Sequence, residues 1–109
     1  MTGVPVGALR RRMMLETATR TPDGGGGAAL TWAAVASVWA AVLPAAGREA
    51  MTAGRISGRV SHVVWLRYRA DIGPAMRLRA GSRVLEILAV IDAGDRRTWL
   101  RCLCEEREL

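Results

Sequence analysis

Lysine, asparagine and phenylalanine are missing from this chain of 109 residues, and tyrosine and histidine occur once each. All 16 basic residues are therefore Arg, set against 10 acids for a formal net charge of +6. The missing residues share A/T-rich codons, so Arg in place of Lys reads first as the mark of a GC-rich source. As evidence of bidentate phosphate binding it is weak. The two cysteines, Cys102 and Cys104, are too few for a disulfide scaffold. On a strand they share one face about 6.6 Å apart, a poor geometry for pairing, so both are expected reduced, metal-free and buried in a cytoplasmic protein. With His62 the single histidine, no zinc-type ligand set is spelled out, and neither metal nor cofactor is expected.

Charge is also missing from Gly24 to Gly47, and Ala28–Ala46 has the length of a transmembrane helix. The segment is Ala-rich, holds Thr31, Ser37 and Pro44, and has Arg on both sides, so a membrane span is not expected. Arg10–Arg12 precede only three apolar residues before Glu16, which is no signal peptide. The length leaves room for one domain, 1–109, and excludes a cleft between lobes.

What is present alternates. Arg12–Thr19 fits a first strand ending at the turn Thr21-Pro22-Asp23-Gly24, and Val35–Leu43 reads as a second, stopped by Pro44. Gly47–Gly58 breaks the pattern: Arg48–Ala53 suits a helical turn or two, inside a long loop over about 45–61. Arg59–Arg69 then sets His62, Val64, Leu66 and Tyr68 on one face, with Val63, Trp65, Arg67 and Arg69 on the other. A turn at Asp71–Pro74, a short strand at Met76–Ala80, a tight link at Gly81-Ser82 and an apolar strand at Arg83–Ile91 follow. A turn at Asp92–Asp95 and a strand at Thr98–Cys104 close the set. The expected fold is all-β, a small barrel or sandwich of about six strands with one short helix and one long loop. The four Trp and Tyr68 suit a core or a subunit contact, and Trp39 and Leu88 are the candidate core anchors.

Catalytic patterns fail in turn. Adjacent residues on a strand face opposite ways, so Ser61 and His62 are not expected to form a nucleophile–base pair. Gly24–Gly27 lack the Lys-Ser/Thr of a phosphate loop and read as a hairpin tip. Carboxylates are sparse, and no enzyme is expected. The positive charge is the strongest signal. Arg48 to Arg83 hold eight Arg against Glu49 and Asp71, so the whole net charge lies in one third of the chain. The pairs Arg67/Arg69 and Arg77/Arg79 each set two like charges on one strand face. They are solvated, or they meet acids on another subunit, or they meet phosphate. A monomeric basic β-barrel that binds nucleic acid is one function this composition allows.

The order of segments resembles the phage head–tail connector family, the head-closure or stopper proteins of siphophage-type particles. The resemblance rests on GxLRxR and an alternating strand (Gly7–Glu16), then TWxxVxxVWAxVxPxxGRE (Thr31–Glu49). HxVxLRYR (His62–Arg69), IxPxMRLxxGxRxxEIxAVID (Ile72–Asp92) and a last strand with Cys (Leu100–Glu106) follow. It implies a barrel or sandwich in which the Ala-rich stretch is a buried strand. It also implies a structural role in the neck of a tailed particle, assembled in the bacterial cytoplasm, with a prophage or gene transfer agent as plausible setting. There such proteins form a ring of six or twelve copies between the portal-bound adaptor and the tail terminator. Double-stranded DNA passes down the ring's channel. The corresponding loop of the family projects toward that channel, which would place Arg48, Arg55 and Arg59 near DNA or between subunits.

Overall fold

The computed structural model describes Gly7 and residues 9–22, 24–45 and 60–108. Six strands form β1 (Arg11–Pro22), β2 (Ala28–Pro44), β3 (His62–Arg67), β4 (Arg77–Ala80), β5 (Arg83–Ala93) and β6 (Trp99–Glu108). They close into an antiparallel barrel in the order β1-β2-β3-β6-β5-β4. Among the described residues there is no α-helix. The short helix expected at Arg48–Ala53 and most of the long loop lie outside them.

Alternation builds the interior. Met13, Leu15, Val38, Ala40, Val64, Leu66, Leu78, Leu85, Ile87 and Leu100 form one buried cluster, closed by Cys102 and Cys104. Val64 and Leu66 point inward as their spacing predicts, and Tyr68 packs against the cluster from the strand's end. Both thiols are fully buried: burial pushes Cys102 up to about 12, and burial beside Cys102 pushes Cys104 higher still. They fill space as small hydrophobes.

Two candidate core anchors are corrected. Trp39 lies on the outer face of β2 and is 52% exposed, because the inward residues there are Val38 and Ala40. Leu88 is half-buried. With Leu85 and Ile87 inward, alternation puts it on the outward face beside Glu86, at the register shift between Ile87 and Ala89 in the β5–β6 pairing.

β2 is also longer than the sequence suggested. Its 17 residues begin at Ala28 rather than Val35, since pairing with β1 runs on to Pro22↔Ala28. Ala favours helix, but a partner strand decides the matter. β1 pairs with β4 only from Met14 to Glu16, so Thr17–Pro22 and Ala28–Ala33 continue past that pairing as a two-stranded ribbon. Gly24 and Gly26, both at positive φ (85 and 87), turn its tip.

Candidate functional site

Glu16 organises one side of the barrel. It is 5% exposed and lies directly across from Arg77. Arg77 donates Nε–H to Oε1 at 2.7 Å, and Arg79 donates to Oε2 at 3.1 Å. Burial alone would raise the Glu16 carboxyl, but the bonds from Arg77 and Arg79 outweigh it and hold the group below its ordinary value of 4.5. Arg77 also stacks on Trp32, 4.0 Å from the ring centre. The two like charges of this strand are thus bridged within the chain. Further round, Glu86 and Glu105 face each other across β5 and β6, and Arg107 spans the pair at 3.0 and 3.3 Å.

One mouth of the barrel is polar. Arg83 donates Nε–H to Glu106 Oε2 at 2.8 Å, and its Nη2 lies 3.3 Å from His62 Nε2. The Arg83 bond, against a smaller effect of burial, holds the Glu106 carboxyl below its ordinary value. The expectation that Ser61 and His62 point apart is overturned: His62 Nδ1 lies 3.0 Å from Ser61 Oγ. Ser61 precedes β3 rather than belonging to it, so strand alternation does not apply. Nε2 lies between Arg83 Nη2 at 3.3 Å and Glu106 Oε1 at 3.5 Å, so the tautomer, and with it the direction of the Ser61 contact, is set by which of the two it meets. Ser61 Oγ meanwhile accepts the Glu106 backbone N–H at 2.8 Å. Among the described residues no three His, Cys, Asp or Glu cluster as a metal site.

On the opposite side, Arg and Trp pair across neighbouring strands. Arg12 of β1 faces Trp39 of β2, with its guanidinium 5.4 Å from the ring centre. Arg67 of β3 faces Trp99 of β6 at 5.5 Å. Trp65 faces Arg101, whose Nε is buried without a hydrogen-bond partner among the described residues. Arg69 is engaged with Asp71 through two bonds of 2.9 and 2.8 Å. Pairing between β2 and β3 covers only Ala41–Pro44 and His62–Trp65. Beyond it the strands part and leave a cleft of about 250 Å³, with Ser37, Val38 and Trp39 on one wall and Leu66–Arg69 on the other.

The expected site residues therefore do not form one site. Arg67 and Arg69 border the cleft, while Arg77 and Arg79 sit on Glu16 at the other side of the barrel. Arg48, Arg55 and Arg59 lie outside the described residues. Glu16 and the Arg12–Trp39 pair escaped the sequence reading, because both depend on cross-strand register and not on spacing within a segment.

Comparison with known proteins agrees over nearly the whole length. Residues 4–107 match the family model described as phage head completion protein. The chain is 31% identical to protein SF1141 from Shigella flexneri 2a, known from a solution structure. That match has a TM-score of 0.71 and covers 94% of this chain and 96% of the other. A chain in the virion of a native gene transfer agent particle is 28% identical, with a TM-score of 0.65 over 92% of this chain and 94% of that one. No curated protein matches. A closed barrel of six strands and a family match from residue 4 to residue 107 lead to one conclusion: the chain belongs to the phage head completion protein family.

Proposed function

We propose that this protein is a structural neck component of a tailed phage or gene-transfer-agent particle. It would form a ring of six or twelve copies between the portal-bound adaptor and the tail terminator, joining head to tail around the DNA channel. The observation that carries this reading is the near full-length likeness to a chain that sits in a gene transfer agent virion. The role needs no chemistry, and it fits a family of structural proteins. Ring strength would come from many modest interfaces acting together, since each added contact in a closed ring is intramolecular.

In this reading Arg48, Arg55 and Arg59 line or gate the channel. Three Arg per copy in a ring of six would place roughly 18 positive charges near the axis, a strong field for a passing phosphate backbone. Replacing all three by Gln should leave rings intact and alter DNA retention or delivery. If they instead pair between subunits, the ring should be lost. Particles that assemble tails normally without this protein would overturn the neck reading.

The Arg–Trp pairs give specific support to a second reading, a monomeric barrel that binds nucleic acid through interleaved cations and aromatics. Sedimentation with and without oligonucleotide separates the two. The neck protein forms rings or joins particles, whereas a nucleic-acid module binds as a monomer with a steep salt dependence.

A further inference from the structure

We propose that the cleft between β2 and β3 is a docking site for an extended acidic segment of a different protein, which adds to β2 as a new strand. The inference uses the barrel alone and does not depend on the ring or the channel.

The backbone makes the first case. β3 covers β2 only from Ala41 to Pro44, so among the described residues the edge from Ala28 to Ala40 has no strand beside it. Nine of these thirteen residues are exposed, while Val38 and Ala40 turn inward to the core. The strand carries no charge and has no proline before Pro44. Of the devices that blunt an open edge, charge and proline are missing from this stretch and one irregularity is present, at Val35 opposite Leu15/Glu16. An edge left without a neighbour is a template for another strand. The cleft beside it offers Val38 and Leu66 as an apolar floor and Tyr68 as a wall.

Charge makes the second case. Arg67 lines the cleft and is held over Trp99, and Arg12 of β1 reaches the cleft's β2 wall, where it is held over Trp39. Arg12 spends Nε on Ser37 Oγ at 2.8 Å, and its Nη groups have no partner among the described residues. Arg and Trp held in this way are the residues that dominate protein interfaces, and a stacked guanidinium still presents a fork for carboxylate.

The occupant follows by elimination. A second copy is a poor complement among the described residues: Glu16, Glu86, Glu105 and Glu106 are engaged by Arg77, Arg79, Arg107 and Arg83. Asp71 is engaged by Arg69, Asp92 holds the Arg97 backbone N–H, and Asp95 sits in a tight turn and not on an extended strand. Nucleic acid matches the charge but not the edge. Phosphate oxygens only accept hydrogen bonds, whereas a strand edge presents carbonyls that need donors as well as amides that need acceptors. A polypeptide strand supplies both. Its alternate side chains would then fill the cleft and set carboxylates on Arg12 and Arg67.

The test uses the full chain and a fluorescent nine-residue peptide alternating Glu with Val or Thr. The controls are its Lys counterpart, the acidic peptide N-methylated at alternate amides, and a single-stranded DNA dodecamer. Saturable binding of the acidic peptide is expected, with slowed amide exchange confined to Ala34–Ala40. The methylated peptide and the Arg12→Gln/Arg67→Gln variant should each bind at least tenfold more weakly. Thermal melting confirms that the variant is folded, and the methylated peptide probes the same contact with the protein unaltered. Equal binding of the Lys peptide, protection elsewhere in the barrel, DNA protecting the same amides, or self-association that closes this edge would each overturn the proposal.

Discussion

Glu16 shows how much one carboxylate can carry. Removing it would leave Arg77, half-buried, with its charge unanswered, which costs about 3 kcal/mol when a buried pair is broken from one side. Glu16→Gln should therefore lower stability in urea by about that amount at neutral pH. The pH dependence has a definite sign. The folded carboxyl lies below its ordinary value of 4.5, so its stabilisation is present above that value and fades as pH falls through the folded one. Acid titration of the Gln variant should show a shallower loss over that range. The thiols behave oppositely to a reactive cysteine. With Cys102 raised to about 12 by burial and Cys104 raised further, thiol reagents should label neither until urea unfolds the barrel. Trp39 and Leu66 invert the intuition that the larger side chain matters more. Leu66→Ala, at a site 1% exposed, should cost about 2–5 kcal/mol. Trp39→Ala should cost about 1 kcal/mol, chiefly its contact with Arg12.

Between elements, pairing is uneven. Cys102 and Leu103 of β6 are flanked on both sides, by Val64 and Val63 of β3 and by Val90 and Ala89 of β5. Thr17–Pro22 of β1 have β2 alone. Two-stranded ribbons are marginal by themselves. Amides from Thr17 to Val35 should therefore exchange through local opening, well before the Cys102–Cys104 amides, which should wait for global unfolding. Equal protection in both regions would show that the ribbon is held by more than β1–β2 pairing.

For the whole molecule, the net charge of +6 hides a division of labour. The side of the barrel around Glu16, Glu86, Glu105 and Glu106 is internally neutralised, whereas on the other Arg67 lines a cleft and Arg12 reaches its β2 wall at Ser37 and Trp39. A surface with one saturated side and one open side favours association through the open side. If that division guides assembly, Glu16→Gln should lower the melting temperature yet leave particle assembly normal at permissive temperature. Arg12→Gln/Arg67→Gln, which loses only the two stacking contacts, should lower melting less than Glu16→Gln and yet impair assembly. The reverse pattern, scored by tailed-particle counts, would assign the assembly surface to the Glu16 side.

Alternation and turn chemistry by themselves determined the all-β class, the tight link at Gly81-Ser82 and the burial of Cys102 and Cys104. Each depends only on a period of two or on a residue's own backbone preference. Segment order added the family. Register decided the rest, and register is a property of two strands together. It lengthened β2 through an Ala-rich stretch by giving it β1 as a partner, and barrel closure chose the face with Val38, Ala40, Leu85 and Ile87 as the inner one, which left Trp39 and Leu88 outside the core. It also set Glu16 against Arg77 across 61 residues of sequence and placed Ser61 outside the strand that would have turned it from His62. Side chains on one strand can be read from its own residues, but what each side chain faces is fixed only when the barrel closes.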